Sequence, residues 1–159
     1  MRQIHQLSHQ DAMKIIGVIQ QELEKMGIKE LSIQAISQAV INIRTSKLPD
    51  PKMIGNAGSF FKNPEIAKDK YGSLKESFLE IVAYPLPNGN YKLAAGWLIE
   101  QCGWKGFREG DAGVHPKQAL VLVNYGDASG KTIYDLSERI LESVNNKFGV
   151  VLEREVNII

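Results

Sequence analysis

Residues 55–64, with the sequence GNAGSFFKNP, constrain the fold of this chain more than any other stretch. The two glycines allow tightly turned or left-handed backbone, and they leave room for a ligand to approach the main chain. Ser59 follows them, and the bulky pair Phe60 and Phe61 favours an extended segment. We therefore predict a tight turn that holds the Ser59 hydroxyl on a rigid aromatic base. The residue types alone leave an ordinary loop before an ordinary strand as the alternative.

Apolar periodicity predicts several helices and short strands in irregular order. The helices are expected over residues 1–27, 31–44, 64–83, 94–102 and 132–148, and the strands over 90–93, 107–114, 119–125 and 150–159. Without regular strand–helix alternation, this predicts an α+β fold with a mixed or antiparallel sheet packed by helices. Pro49 and Pro51 end a helix, so we place a boundary there, between residues 1–49 and a domain of residues 50–159.

Composition excludes several classes of function. The 159 residues suit one domain or one domain plus a piece of another, and 43% hydrophobic content suffices for a core. A net charge of +1 argues against a nucleic-acid partner. The sequence contains no long apolar run and no leading signal pattern, so we expect no membrane partner. The lone Cys102 suits a reducing compartment, so we expect a cytoplasmic protein. His5 and His9 are four residues apart, but a metal site needs more ligands; a solvated helix face is expected and no metal.

Five ordered blocks resemble the UDP-N-acetylenolpyruvoylglucosamine reductases, the MurB family. They are residues 47–52 (KLPDPK), 55–64 (GNAGSFFKNP), 93–103 (LAAGWLIEQCG), 114–124 (VH, then QALVLVN from 118) and 152–156 (LEREV). The resemblance runs from about residue 28 to the end and is to the C-terminal part of that enzyme only. It implies that residues 50–159 form the substrate-binding domain and that residues 1–49 are a helical remnant of the preceding flavin-binding domain.

The resemblance also implies an activity, UDP-N-acetylmuramate dehydrogenase in peptidoglycan precursor synthesis. In that reaction FAD passes a hydride from NADPH to UDP-N-acetylglucosamine enolpyruvate. We expect this chain alone to bind neither cofactor tightly and to lack activity unless a separate FAD-binding N-terminal half completes it. The alternative is a non-catalytic UDP-sugar-binding or structural fragment of the same fold.

Site residues follow from the same motifs. The resemblance makes Ser59 the proton donor and Glu155 a second catalytic residue, although on a strand Glu153 and Glu155 share one face and cannot otherwise be told apart. A nearby cation, Lys62 or another lysine, would help the serine hydroxyl act as an acid in a desolvated site. Four residues match positions that hold the UDP-sugar, and one glycine is placed against the cofactor. These are Lys47, Asn63, Lys105 and Gln118 for substrate, and Gly58 for cofactor.

Each of these assignments has a plainer alternative. A lysine is more often a solvated surface charge, and Asn63 could be a helix or turn cap. His115 is expected to be a hydrogen-bonded structural histidine. Ile16-Gly17 stands where many relatives place Tyr-Gly, which removes a substrate-clamping hydroxyl, and the family's arginine partner has no counterpart here.

Residues 126–132, with the sequence GDASGKT, resemble a phosphate-binding loop between a strand and a helix. The P-loop pattern needs four residues between its glycines, and here there are three. One residue fewer changes how backbone N–H groups wrap a phosphate. A polar turn followed by a helix start is the better interpretation, and nucleotide hydrolysis is the weaker one.

Overall fold

A computed structural model describes residues 9–158, without the side chains of residues 9–15 and Lys47. The chain divides into two compact units, the first ending at Lys47 and the second beginning at Leu48. The predicted boundary at residue 49 and the origin of residues 1–49 stay predictions. His5 lies outside the described residues, as does the His9 side chain.

The first unit is a pair of helices, α1 (His9–Lys25) and α2 (Ile33–Lys47). Their small core consists of Leu23, Ala35 and Ala39. Ser32 caps the N-terminus of α2, because its Oγ accepts a hydrogen bond from Ala35 N at 3.1 Å. The larger apolar residues of α2 do not form this core; Ile33 is 84% exposed. Small alanine side chains face α1 instead, since they let two helices approach closely.

The second unit contains two antiparallel sheets, which confirms the predicted α+β class. The larger sheet has the strand order β1 (Gly55–Ser59), β7 (Val121–Asn124), β6 (Ala112–Val114), β5 (Arg108–Glu109). The smaller sheet has the order β2 (Glu65–Ile66), β4 (Tyr91–Leu93), β3 (Ala83–Pro85). As the apolar run predicts, β7 is a central strand, with Val121, Leu122 and Val123 all buried.

Three helices complete the second unit: α3 (Lys68–Ser77), α4 (Ala95–Gln101) and α5 (Gly130–Phe148). The apolar face of α5 contributes Leu136, Ile140, Val144 and Phe148 to one core that also includes Leu98 and Ile99 of α4. Gly149 ends α5 in the left-handed conformation, with φ 60°, as the sequence predicts.

Two predicted elements are wrong in part. Residues 64–83 were expected to form one helix, but Glu65 and Ile66 pair with β4 and the helix ends at Ser77, which leaves Leu79 72% exposed. Pairing with a neighbouring strand prevails there over local helix propensity. Residues 150–159 were expected to form a strand, but the segment makes one isolated bridge, Phe61 with Arg154. No helix in the described part of the chain is long and apolar enough to cross a membrane.

We predict that Ser129→Ala lowers the free energy of unfolding by about 1 kcal/mol, because Ser129 Oγ caps α5 by accepting a hydrogen bond from Thr132 N at 3.1 Å. Urea unfolding followed by circular dichroism measures the change. Ser73→Ala is the matched control: its hydroxyl bonds only the Asp69 carbonyl within exposed α3, and alanine there should be neutral or stabilising. Equal losses in both variants would contradict the assignment of Ser129 as the cap.

Candidate active site

Ser59 ends β1 immediately after a β-bulge. The pairing of β1 with β7 runs Gly55 with Asn124 and Asn56 with Val123, and then resumes at Ser59 with Val121. Two residues of β1 therefore oppose one residue of β7, and the second of the two, Gly58, has φ 75°. The predicted tight turn is thus a bulged strand, a feature that bends a strand and re-aims the side chains that follow.

The bulge is held by one half-buried side chain that the sequence analysis did not single out. Asn56 Oδ1 accepts a hydrogen bond from Gly58 N at 3.0 Å. Its Nδ2 donates to the carbonyls of Ile54, at 2.9 Å, and Pro49, at 3.3 Å. Asparagine supplies both the acceptor and the donors that this arrangement needs. The Asn56 amide therefore links the loop before β1 to the bulge that precedes Ser59.

Ser59 is exposed in this chain, while the two aromatic residues behind it are buried, Phe60 at 7% and Phe61 at 1%. The predicted aromatic base is therefore present. The desolvated environment that a serine proton donor requires is not formed around Ser59 by the described residues themselves.

The C-terminal segment pairs Glu155 with Phe60, the residue that follows Ser59. Glu155 N donates a hydrogen bond to the carbonyl of Phe60 at 2.9 Å, and Lys62 N donates to the carbonyl of Glu153 at 2.8 Å. Glu155 thus lies across from the residue next to Ser59 in an antiparallel pairing. Its side chain, like that of Ser59, is exposed.

Lys62 distinguishes the two glutamates that the sequence left equivalent. Its Nζ lies 3.1 Å from Glu153 Oε2, in an exposed ion pair. Lys62 is therefore directed to Glu153, not to the serine hydroxyl. The two side chains also line a groove of about 310 Å³ that includes Asn63 but neither Ser59 nor Glu155.

Asn63 and Gln118 both lie at the start of α4. Asn63 Oδ1 accepts a hydrogen bond from Ala95 N at 2.9 Å, so Asn63 does cap this helix. A Cβ atom at Gly96 would lie 3.5 Å from Gln118 Oε1, which places that amide against the first turn. Capping leaves the Asn63 amide nitrogen available as a donor, so a role in binding is compatible with it.

Lys105 does not lie with these residues. Lys105 Nζ is paired with Glu100 Oε1 at 2.8 Å, at the far end of α4. The seven-residue helix separates its two ends by about 10 Å. Lys47 is the last residue of α2, and its side chain lies outside the described part of the structure. The assigned roles of all these residues, and of Gly58 toward a cofactor, stay predictions.

The loop at residues 126–130 is closed by side chains that lie outside it, those of Asn124 and Asp111. Asn124 Oδ1 accepts hydrogen bonds from Gly126 N and Ala128 N, both at 3.1 Å. Asp111 Oδ2 accepts one from Asp127 N at 2.9 Å. A P-loop instead points free N–H groups at phosphate oxygens. These contacts remove the support for nucleotide hydrolysis.

Arg154, between the two glutamates of the terminal segment, is a second residue that the sequence analysis missed. Its Nε donates to Ser137 Oγ at 2.8 Å, and its Nη2 lies 2.6 Å from Glu138 Oε1. Strand alternation was the available signal, because it turns the residue between two exposed glutamates toward the interior. Among the described residues, no group of acidic, histidine or cysteine side chains could hold a metal ion.

His115 is the buried titratable group next to the site, as expected of a structural histidine. Its Nδ1 accepts a hydrogen bond from Lys117 N at 3.3 Å. Burial, with a smaller contribution from the charge of Lys117, lowers the pKa of His115 below its ordinary value. The neutral ring is therefore the form that the fold favours.

We predict that His115 makes the protein less stable in mild acid. The unfolded chain takes up a proton near the ordinary histidine pKa of about 6.5, whereas the folded chain takes it up only at lower pH. The stability that the neutral His115 ring contributes is fully present above pH 7. It is lost as the pH falls through 6.5 toward the lowered pKa of the folded state. The measurement compares the unfolding free energies of wild type and His115→Gln from pH 7.5 to pH 5. The difference between the two proteins should change with pH. A difference that stays constant would contradict the prediction.

We also predict that Gly58→Ala destabilises the protein by about 1–2 kcal/mol, the cost of left-handed backbone for a residue with a Cβ atom. No atom lies within 4 Å of the added Cβ, so the loss comes from the backbone alone. Gly72→Ala in α3 is the control, since its Cβ also meets nothing within 4 Å. Alanine should stabilise the protein there, and equal effects in urea unfolding would show that the bulge carries no strain.

Residues 50–159 match the family described as UDP-N-acetylenolpyruvoylglucosamine reductase, C-terminal domain. Curated relatives with that enzyme name include those of Pseudomonas putida, 54% identical over 142 residues, and Pseudomonas syringae pv. syringae, 52% identical. Each match covers 89% of this chain and 42% of the relative, so the chain spans less than half the length of these relatives. A solved reductase from Thermus caldophilus is 26% identical with a TM-score of 0.47, over 81% of this chain and 36% of the other.

Proposed function

Since the chain belongs to the family of C-terminal domains of UDP-N-acetylenolpyruvoylglucosamine reductases, we propose that it supplies the proton-donating and substrate-binding part of such an enzyme. The substrate of the whole enzyme is UDP-N-acetylglucosamine enolpyruvate, and the product is UDP-N-acetylmuramate. The observation that supports the proposal is the hydrogen bond from Glu155 N to the carbonyl of Phe60, because it pairs Glu155 with the residue that follows Ser59. A UDP-sugar substrate and the lone Cys102 suit the cytoplasm.

The reaction needs a proton at one defined carbon. When hydride has added to the alkene carbon beta to the carboxylate, the neighbouring carbon carries enolate character and must take up a proton. Ser59 is the proposed donor, through its Oγ–H. A serine hydroxyl is a weak acid, so it can serve only against a strongly basic centre and where water is excluded. Glu155, across the pairing, would stabilise the intermediate.

Substrate binding is assigned to the side chains around the start of α4. Asn63 retains its amide N–H groups, and the Gln118 amide lies against the first turn of the helix. These groups can read the edges of uracil or a sugar. Lys105 and Lys47 are proposed partners for the diphosphate, and Lys105 would have to leave Glu100 to act so. An exposed pair of this kind contributes at most about 1 kcal/mol, so exchange for a diphosphate is easily accessible.

The residues described here do not fit FAD as a resident group. In the glycine-rich loop that precedes α5, the backbone N–H groups of Gly126, Asp127 and Ala128 already donate to the side chains of Asn124 and Asp111. A Cβ atom at Gly58 would meet no atom within 4 Å, so the backbone there is open to a ligand but offers it no contacts at that distance. We therefore propose that FAD and NADPH bind mainly to a separate N-terminal half, which would also cover Ser59 and exclude water. The alternative, a non-catalytic UDP-sugar-binding fragment, is favoured by the exposure of Ser59 in this chain.

The test combines this chain with the part of the Pseudomonas putida reductase that precedes the matched segment. We predict that Ser59→Ala slows reduction of the enolpyruvyl substrate by about 10²–10⁴-fold, the usual contribution of a positioned acid. Oxidation of NADPH by the flavin should be unchanged, because this step needs no proton donor at the substrate. Stopped-flow absorbance separates the two half-reactions.

Ser77→Ala, an exposed serine near the end of α3, is the control and should leave both half-reactions unchanged. Equal loss of both half-reactions in Ser59→Ala would mean that Ser59 acts on folding or assembly. Calorimetric binding of the UDP-sugar without turnover in the combined protein would favour the non-catalytic alternative.

A further inference from the structure

The segment that carries Glu155 has little sheet structure of its own. It pairs with residues 60–62 through one isolated bridge, Phe61 with Arg154, flanked by two backbone hydrogen bonds. Short two-stranded pairings are marginal in water without packing against another element. Packing of the buried Leu152 and contacts beyond the backbone must therefore hold Glu155 in register with Phe60.

The Arg154 side chain provides that attachment to α5. It projects away from Glu153 and Glu155, toward the helix, and its side chain is only 18% exposed. Two of its nitrogens engage two different residues, with Nε on Ser137 Oγ at 2.8 Å and Nη2 on Glu138 Oε1 at 2.6 Å. The terminal segment is thus fastened to the longest helix of the second unit.

The partners of Arg154 are themselves fixed. Ser137 is fully buried, and its hydroxyl donates to the carbonyl of Tyr134 at 2.6 Å. The Arg154 guanidinium lies 4.4 Å from the centre of the Tyr134 ring. Hydrogen bonds from Tyr134 and then from Arg154 lower the pKa of Glu138, so the carboxyl is ionised at neutral pH. The planar guanidinium of Arg154 bonds two acceptors and lies over a ring, and the ammonium group of a lysine cannot reproduce this arrangement.

We propose that Arg154 is a positioning residue: it clamps the terminal segment to α5 and so keeps Glu155 paired with Phe60, the residue that follows Ser59. The catalytic meaning of this clamp rests on the proposed function, whereas the clamp itself does not. Arg139 offers a matched comparison within α5. It also pairs with a carboxylate, Glu109, at 2.8 Å, and lies over the ring of Trp104, but its partners belong to another part of the unit.

The first experiment measures amide hydrogen exchange by NMR on the 159-residue chain. Arg154→Lys should raise the exchange rates of the Glu155 and Lys62 amides at least tenfold and leave Val123 in β7 unchanged. Glu138→Gln, which keeps an acceptor, should raise them less than Glu138→Ala. Arg139→Lys should leave them unchanged. Unaltered exchange at Glu155 and Lys62 in Arg154→Lys would overturn the proposal, as would a uniform rise across β7.

The second experiment uses the combined protein described above. Arg154→Lys should lower kcat by about 10–100-fold with little change in KM, because Glu155 is proposed to act on the intermediate and not on the bound substrate. An unchanged kcat, or a rise in KM alone, would overturn the positioning role. If wild type itself gives no turnover, the proposed function fails, and hydrogen exchange still decides whether the clamp exists.

Discussion

Residues 59–62 share their backbone between two partners, and the arrangement of the candidate site depends on this sharing. Phe60 N donates to the carbonyl of Leu120 at 2.8 Å, while its own carbonyl accepts from Glu155 N at 2.9 Å. Burial of Phe60 and Phe61 stabilises this register by roughly 1.5–3 kcal/mol for each ring. A slip of one residue would expose a buried ring and change the residue that is paired with Glu155, so packing of the aromatic pair also sets the register of the terminal segment.

Geometry and environment come from different sources at this site. The second unit positions Ser59 and Glu155 through its own core, yet both residues are exposed. The surrounding ion pairs, such as Lys62 with Glu153, are also exposed and contribute little to stability. Proton donation by serine needs exclusion of water. In the proposed reaction, the second unit would supply the placement of Ser59 and Glu155, and the partner half would supply the low-dielectric surroundings.

Two glycine-containing loops illustrate what residue types can and cannot predict. In both, an asparagine side chain accepts the N–H of the residue two positions later, Asn56 with Gly58 and Asn124 with Gly126. The first loop continues into a bulged strand that presents Ser59, and the second folds back on itself and starts α5. The side chain that completes the second loop, Asp111, lies sixteen residues away from Asp127. A local pattern cannot reveal a partner at that distance.

By itself the sequence determined the elements whose causes are local: the amphipathic α5 with its Ser129 and Gly149 caps, the buried β7 and the buried aromatic pair. These depend on propensities and hydrogen bonds within a few residues. Tertiary structure decided that residues 64–83 begin as a strand, that the terminal segment forms a single bridge, and that Arg154 docks on α5. The bond between Lys62 and Glu153 joins residues 91 positions apart. Such pairings depend on which surfaces the folded core brings together, and that information is not contained in any short stretch of sequence.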